Sequence, residues 1–311
     1  MKKTWFVAAT RTLCPVSIGK FHVWVLLLAV TWTLSAAGQI NTPFETGCGA
    51  LPFQDIALEH KGVDDYCGIG GVASASDVAN QQQNRIKNNF CLKSSPVNLK
   101  TTDFITLQKK VDALNDFTYG SGRSVPEDRS PLDKILSVGQ MKVGEGTLIT
   151  VVGYMMDPHY SDVRNGEGVN CKRGGNERND IHFSVSKQWI DIDYTDRKGA
   201  QNQLCNLITG EVSPHFRPDA WEVDHLSKLV RIPVRLTGQL FFDASHVPCR
   251  PGKPVNPPRV AVWEIHPIYA IDVCKSKVLS KCRANVDSDW VTMDNWAAAQ
   301  HENEVGATEE P

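Results

Sequence analysis

The spacing of apolar positions changes character near residue 140. Before that point apolar residues recur three or four apart. Residues 103–115 place Phe104, Leu107, Val111 and Leu114 on one stripe, which predicts an amphipathic helix capped by Thr102 or Asp103. Residues 76–90 predict a more polar helix with Ser76 as its cap, and their dense Asn and Gln side chains read as a solvated face. Ser130 and Pro131 open a short third helix through Leu136, with proline at its first position. Beyond residue 140 the period falls to two. Residues 147–156 (TLITVVGYMM) form a β run in which Gly153 marks a bend or bulge. A polar loop spans 157–178. Ile181, Phe183 and Val185 then alternate with Asp180, His182 and Ser184, the pattern of a half-buried strand. Residues 206–212 form a third strand, and 218–229 a short helix with Trp221, His225 and Leu229 along one side. Ile232, Val234, Leu236, Leu240 and Phe242 mark a fourth strand, and 259–273, rich in β-branched and aromatic residues, a fifth. Residues 287–299 predict a terminal helix.

Five strands with a helix between the third and fourth follow the order of an OB-fold barrel, and residues 145–275 resemble that architecture. The resemblance implies a ligand face on the second and third strands but no particular activity. The expected fold class is α+β: a small helical N-terminal unit followed by a five-stranded OB-like β-barrel, stabilised by disulfides. The expected segments are 1–37, a signal peptide or N-terminal membrane anchor; 38–64, an irregular linker; 65–140, the helical unit; 141–275, the barrel; and 276–311, a C-terminal helix and acidic tail.

Composition narrows the classes. Of 311 residues, 41% are hydrophobic and 22% charged, which excludes wholesale disorder, collagen-like and coiled-coil chains. The formal net charge is -2, and residues 1–37 hold Lys2, Lys3, Arg11 and Lys20 without an acid, so the remainder is more acidic still. Non-specific nucleic-acid binding is not expected, because it draws on Lys and Arg against phosphate. Residues 21–37 (FHVWVLLLAVTWTLSAA) follow this basic stretch and end in small residues. They predict a signal peptide cleaved near Ala37 or a membrane anchor of about 17 residues. Both readings put the body outside the cytoplasm, periplasmic or extracellular, and the second tethers it to the inner membrane. Cys14 lies in this segment. Cys48, Cys67, Cys91, Cys171, Cys205, Cys249, Cys274 and Cys282 remain, an even number that reads as up to four disulfides. Proximity in sequence suggests Cys67–Cys91 and Cys171–Cys205. No C-x-x-C pair occurs, which argues against thiolate-bound zinc.

Candidate chemistry lies in four acid–histidine pairs: Asp180-x-His182, Glu211-x3-His215, Asp243-x2-His246 and Glu264-x-His266. Residues i and i+2 of a strand share a face, so Asp180 points with His182 and Glu264 with His266. Imidazole plus carboxylate suits Zn, Mn or Fe. His182, His266 and Asp180 are the metal-ligand candidates, with a divalent metal ion as the alternative to no cofactor. Asp180, His182, Glu264, His266, His246 and Arg173 are the ligand-binding candidates, Arg173 because the loop 172–178 is locally basic. The ordinary role of such pairs is to fasten loops, the imidazole satisfying a partly buried polar group. No H-E-x-x-H and no G-x-S-x-G occurs, so no catalytic residue is assigned. Gly68, Gly70, Gly71, Gly174 and Gly175 read as turns, and Trp189, Trp221 and Trp263 as stacking platforms or core.

The segments QNRIKNNFC (83–91), EDRSPL (127–132), GEGVNC (166–171), NDIHF (179–183), EVSPHFRP (211–218), GQLFFDASHVPC (238–249) and WEIHPIYAIDVC (263–274) resemble an uncharacterised exported bacterial protein family across about residues 65–275. The resemblance implies export and one continuous unit, and no activity. The expected function is an exported, disulfide-stabilised, non-catalytic binding module for a glycan, peptide or oligonucleotide. The alternatives are a metal- or histidine-dependent hydrolase such as a phosphodiesterase, and a structural envelope protein.

Overall fold

The computed structural model describes residue 67 and residues 70–92, 94–120, 125–161 and 163–308, the last six without side chains. The expected signal peptide or anchor, the linker, Cys14 and Cys48 lie outside the described residues. Among the described residues no helix is long and apolar enough to cross a membrane.

The chain runs through α1 (Val78–Lys87), β1 (Val97–Leu99), α2 (Thr101–Asp112), a hairpin of β2 (Leu136–Val138) and β3 (Met141–Val143), β4 (Leu148–Tyr160), β5 (Ile181–Ser186), α3 (Arg197–Leu204), β6 (Ile208–Val212), α4 (Val223–Leu226), β7 (Pro233–Phe242), β8 (Trp263–Cys274), β9 (Trp290–Thr292) and α5 (Met293–Thr308). Five strands close on themselves in the order β4-β5-β6-β8-β7, with β7 returning to β4. Only β6 and β8 run parallel; the other four pairings are antiparallel. The α+β class with a closed, disulfide-stabilised five-stranded barrel is thus present.

Closure depends on β4. Its first half pairs with β7 from Leu148 to Tyr154, and its second half pairs with β5 from Tyr154 to Tyr160. At the handover sits Gly153, where a Cβ would meet the Ser186 carbonyl oxygen at 2.7 Å. The register slips between Met156 and His159, a bulge that adds bend and twist. Inward positions of the five strands, among them Val151, Phe183, Val185, Ile208, Leu236 and Ile265, fill the interior. Full burial of each such side chain contributes about 1.5–3 kcal/mol.

Several local expectations change. The helix at residue 130 is a single 3-10 turn, Ser130–Leu132, after which Leu136 and Val138 pair with Val143 and Met141 around Gly139. Proline starts a helical turn as readily as a helix, and Lys134 at φ 49° stops it. Residues 287–299 give a 3-10 turn, then β9 against β8, and only then helix α5. The cap of α1 is Asp77, whose Oδ1 accepts from the Asn80 N–H at 3.2 Å. Helix α3 and strand β1 had no periodic signal because each is short.

The disulfide pairing also differs from sequence proximity. Cys67 bonds Cys171, Cys205 bonds Cys249, and Cys274 bonds Cys282. Cys91 is disulfide-bonded too, but not to Cys67. Cys274 and Cys282 lie eight residues apart, whereas the partners of the other two bonds lie 104 and 44 residues apart and are brought together by the fold. These bonds are consistent with an oxidising location.

Candidate functional site

The outward face of the barrel carries the site. In β5, Ile181, Phe183 and Val185 point in, so His182 and Ser184 point out. Cross-strand register extends this outer row: His182 lies opposite Glu211, Thr209 opposite Glu264, and Glu264 opposite Phe241. His266 follows Glu264 by two residues and shares its face. Such a face is normally wet. Here α1 and the chain after it cover it. Gln239 donates to the Ile86 carbonyl at 2.8 Å and accepts from Asn89 at 2.7 Å, and the Tyr269 hydroxyl donates to the Asn89 carbonyl at 2.6 Å. Gln82, Gln83 and Lys87 of α1 are buried, so the amide-rich helix is a packed one rather than a solvated one.

Between α1, the loop around Gly166–Lys172 and the outer row runs a cleft of about 630 Å³. Asn80, Gln83 and Asn84 form one wall, and Glu167 and Lys172 the other. Lys87, His182 and Glu211 form the floor, and Asp243, Ser245 and His246 one end. The Cys67–Cys171 bond ties the chain ahead of α1 to the opposite wall, 104 residues later.

Glu211 is the hub. Its carboxylate accepts from His266 Nδ1 at 2.6 Å and lies 3.5 Å from Lys87 Nζ and 3.4 Å from His182 Nε2. His182 Nε2 is also 3.4 Å from Glu167. Asp180, fully buried, accepts from the Asn170 amide at 3.1 Å through Oδ1, while Oδ2 has no hydrogen-bond partner. Ligand atoms of Glu167, Asp180 and His182 lie within 4.8 Å of one another, and so do those of Asp180, Glu211 and His266. Beside this knot, buried Arg259 pairs with Glu264 and, at 3.2 Å, with Asp243. Asp243 in turn holds His246 Nδ1 and accepts from the Ser245 N–H at 3.1 Å. His246 keeps 38% of its side chain exposed at the cleft.

Burial opposes every one of these charges, and the neighbours decide which survive. Burial alone would discharge His182, but Glu211 and Glu167 outweigh it and raise its pKa to about 9, so it is an imidazolium at neutral pH. Burial also opposes the Glu211 carboxylate, and His182, Lys87 and His266 overcome it, leaving Glu211 well below the usual carboxylate range. Asp243 is held low in the same way by His246, Lys87 and Arg259. Asp180 goes the other way: burial and the charges of Glu167 and Glu211 push it well above its ordinary value. Burial likewise raises Glu264, aided by Glu211. For His266 burial wins, so the ring is neutral.

The structure therefore brings Asp180, His182, Glu211, Asp243, His246, Glu264 and His266 together around one cleft. Asp180, Glu264 and His266 are buried beneath it rather than in its lining. Arg173 stays exposed and outside the lining, while its neighbour Lys172 faces in. His215 is buried away from the lining, and Trp221 and Trp263 are core. Sequence reasoning missed Lys87, Glu167 and Arg259. An acid between two glycines, Glu167, was the available signal; Lys87 was masked by Arg85 two residues before it in the same polar helix. Comparison with known protein families, with curated proteins and with solved structures returns no match.

Proposed function

We propose that the cleft is a hydrolytic site in an exported protein, with the Asp243–His246 pair as its general base. The observation that carries this reading is the geometry of that pair. A carboxylate fixed by buried Arg259 holds Nδ1 of a half-exposed histidine, which sets the tautomer and leaves Nε2 as the basic nitrogen. In this scheme Nε2 takes a proton from water as the oxygen attacks the substrate. The bond to the leaving oxygen breaks, and that oxygen receives the proton. Lys87 on the floor, held charged by Glu211 and Asp243 against the cost of its burial, stabilises negative charge that develops on the substrate. A phosphodiester fits this combination of general base and buried cation, and the amides of Asn80 and Asn84 supply polar contacts along the cleft wall.

The competing reading is a non-catalytic module that holds a glycan, peptide or oligonucleotide in the same cleft. It draws support from the position of the cleft over β5 and β6, where OB-like barrels hold ligands. A panel of chromogenic phosphodiesters, carboxylic esters and glycosides separates the two. Turnover by the purified protein, reduced about 100-fold or more by His246→Ala and by Asp243→Asn, is expected. Saturable ligand binding without turnover by the unaltered protein would leave the binding module standing and remove the hydrolase.

A further inference from the structure

We propose that Glu167, Asp180 and His182 hold one divalent metal ion of the Mn2+-to-Zn2+ group at the inner side of the cleft, with a Glu211 oxygen as fourth ligand. The proposal stands apart from the hydrolytic reading and needs no turnover.

Distance is the first argument. Two ligands each about 2.1 Å from one metal lie roughly 3 Å apart when adjacent and about 4.2 Å apart when opposite. The ligand atoms of Glu167, Asp180 and His182 all fall within 4.8 Å of one another. Glu167 and Glu211 each place an oxygen 3.4 Å from the same nitrogen, His182 Nε2. That separation suits neighbouring positions around an ion.

The second argument is independent of the clustering. Asp180 is completely buried and its Oδ2 has no hydrogen-bond partner, while the proton on His182 Nε2, which faces two carboxylates at 3.4 Å, leaves as the ion binds. A buried carboxylate oxygen without a partner costs stability unless a cation or a proton meets it. Glu167 and Glu211 bring two more carboxylates to the same space. A metal ion meets the same demand for positive charge.

The third argument is support from outside the ligand set. Asn170 donates to Asp180 at 3.1 Å, the Ser161 hydroxyl donates to Glu167 at 2.6 Å, and His266 donates to Glu211 at 2.6 Å. Metal-binding carboxylates are typically oriented by such partners. Asp180 and His182 sit at the start of β5, Glu211 sits on β6, and the Glu167 loop is held by the Cys67–Cys171 bond. Contacts outside the ligand set thus hold each carboxylate in place. Mixed oxygen and nitrogen donors favour Mn2+ or Zn2+ over Ca2+, which takes oxygen alone.

The test uses the full chain, stripped with a chelator, dialysed and titrated calorimetrically with zinc chloride and with manganese chloride. One ion per chain is expected, with affinity reduced at least about tenfold in Asp180→Asn and in Glu167→Gln. Arg173→Ala, on the outside of the same loop, should bind as the unaltered protein does. Should Asp180→Asn fail to fold, Glu167→Gln decides, because that side chain is partly exposed. No saturable binding by the folded protein overturns the proposal, as does one-to-one binding that neither variant weakens. His246→Ala should lower turnover about 100-fold or more and leave the titration unchanged, so the two proposals fail separately.

Discussion

At the residue scale, two kinds of buried charge must be kept apart. Arg129 and Glu145 are both fully buried and outside the cleft lining. Arg129 Nε donates to Glu145 at 2.7 Å, its Nη1 to Gln83 at 3.3 Å and its Nη2 to the Phe242 carbonyl at 2.5 Å, while Glu145 accepts from the Phe242 N–H at 3.0 Å. This pair is saturated with partners and clamps α1, the β3–β4 turn and the end of β7. Arg129→Met should destabilise the fold by about 3–5 kcal/mol in urea titration, because Glu145 is left charged and unpaired. Arg129→Met with Glu145→Leu should recover much of that loss. A single-variant cost under about 1 kcal/mol would show that the clamp is dispensable. The Asp180 set differs in one respect that matters: it has unused ligand atoms. Arg217 belongs with the fasteners, since it donates to the Asn179 and Asn176 carbonyls at 2.7 and 2.9 Å and to Glu222 at 3.0 Å.

At the element scale, β5 and β6 position the site through a size match across the barrel interior. Phe183 lies opposite Gly210, and a Cβ on Gly210 would come within 2.4 Å of the Phe183 ring. Gly210→Ala should therefore lower stability by about 1–3 kcal/mol in thermal unfolding and disturb the His182–Glu211 pair one residue away. An unchanged melting temperature would show that the ring moves aside freely. The barrel strands were legible because β5 and β7 alternate and β4 and β8 are rich in β-branched and aromatic residues. The acid–histidine pairs were legible because an i, i+2 pair on a strand must share a face. Helix α1 was legible as a helix and illegible in its role. Its amides look solvated until the barrel and the loop after β7 supply their partners, such as Ser245 for Gln83 at 2.6 Å. The β2–β3 hairpin hid behind Ser130 and Pro131, whose local preference for a helical turn is real and is spent in three residues.

At the scale of the whole molecule, covalent bonds hold together parts that few backbone contacts join. Cys205–Cys249 closes a separation of 44 residues, linking the end of α3 to the loop after β7. Replacing both cysteines with serine should cost about 2–4 kcal/mol, read as a lower urea midpoint. If the reduced protein and the double variant both melt where the oxidised protein does, that bond contributes nothing to stability. Cys67–Cys171 acts on the site itself by joining its two walls.

The linear order of residues determined the α+β class, the barrel strands and the even set of cysteines, because alternation and composition are local properties. It also determined which acids share a strand face with which histidines. Only the folded barrel decided that these pairs meet, that Lys87 and Glu167 join them, and which cysteines bond. Those outcomes depend on barrel closure and on α1 lying across the outer face, and contacts between segments far apart in the chain leave no periodic trace in it.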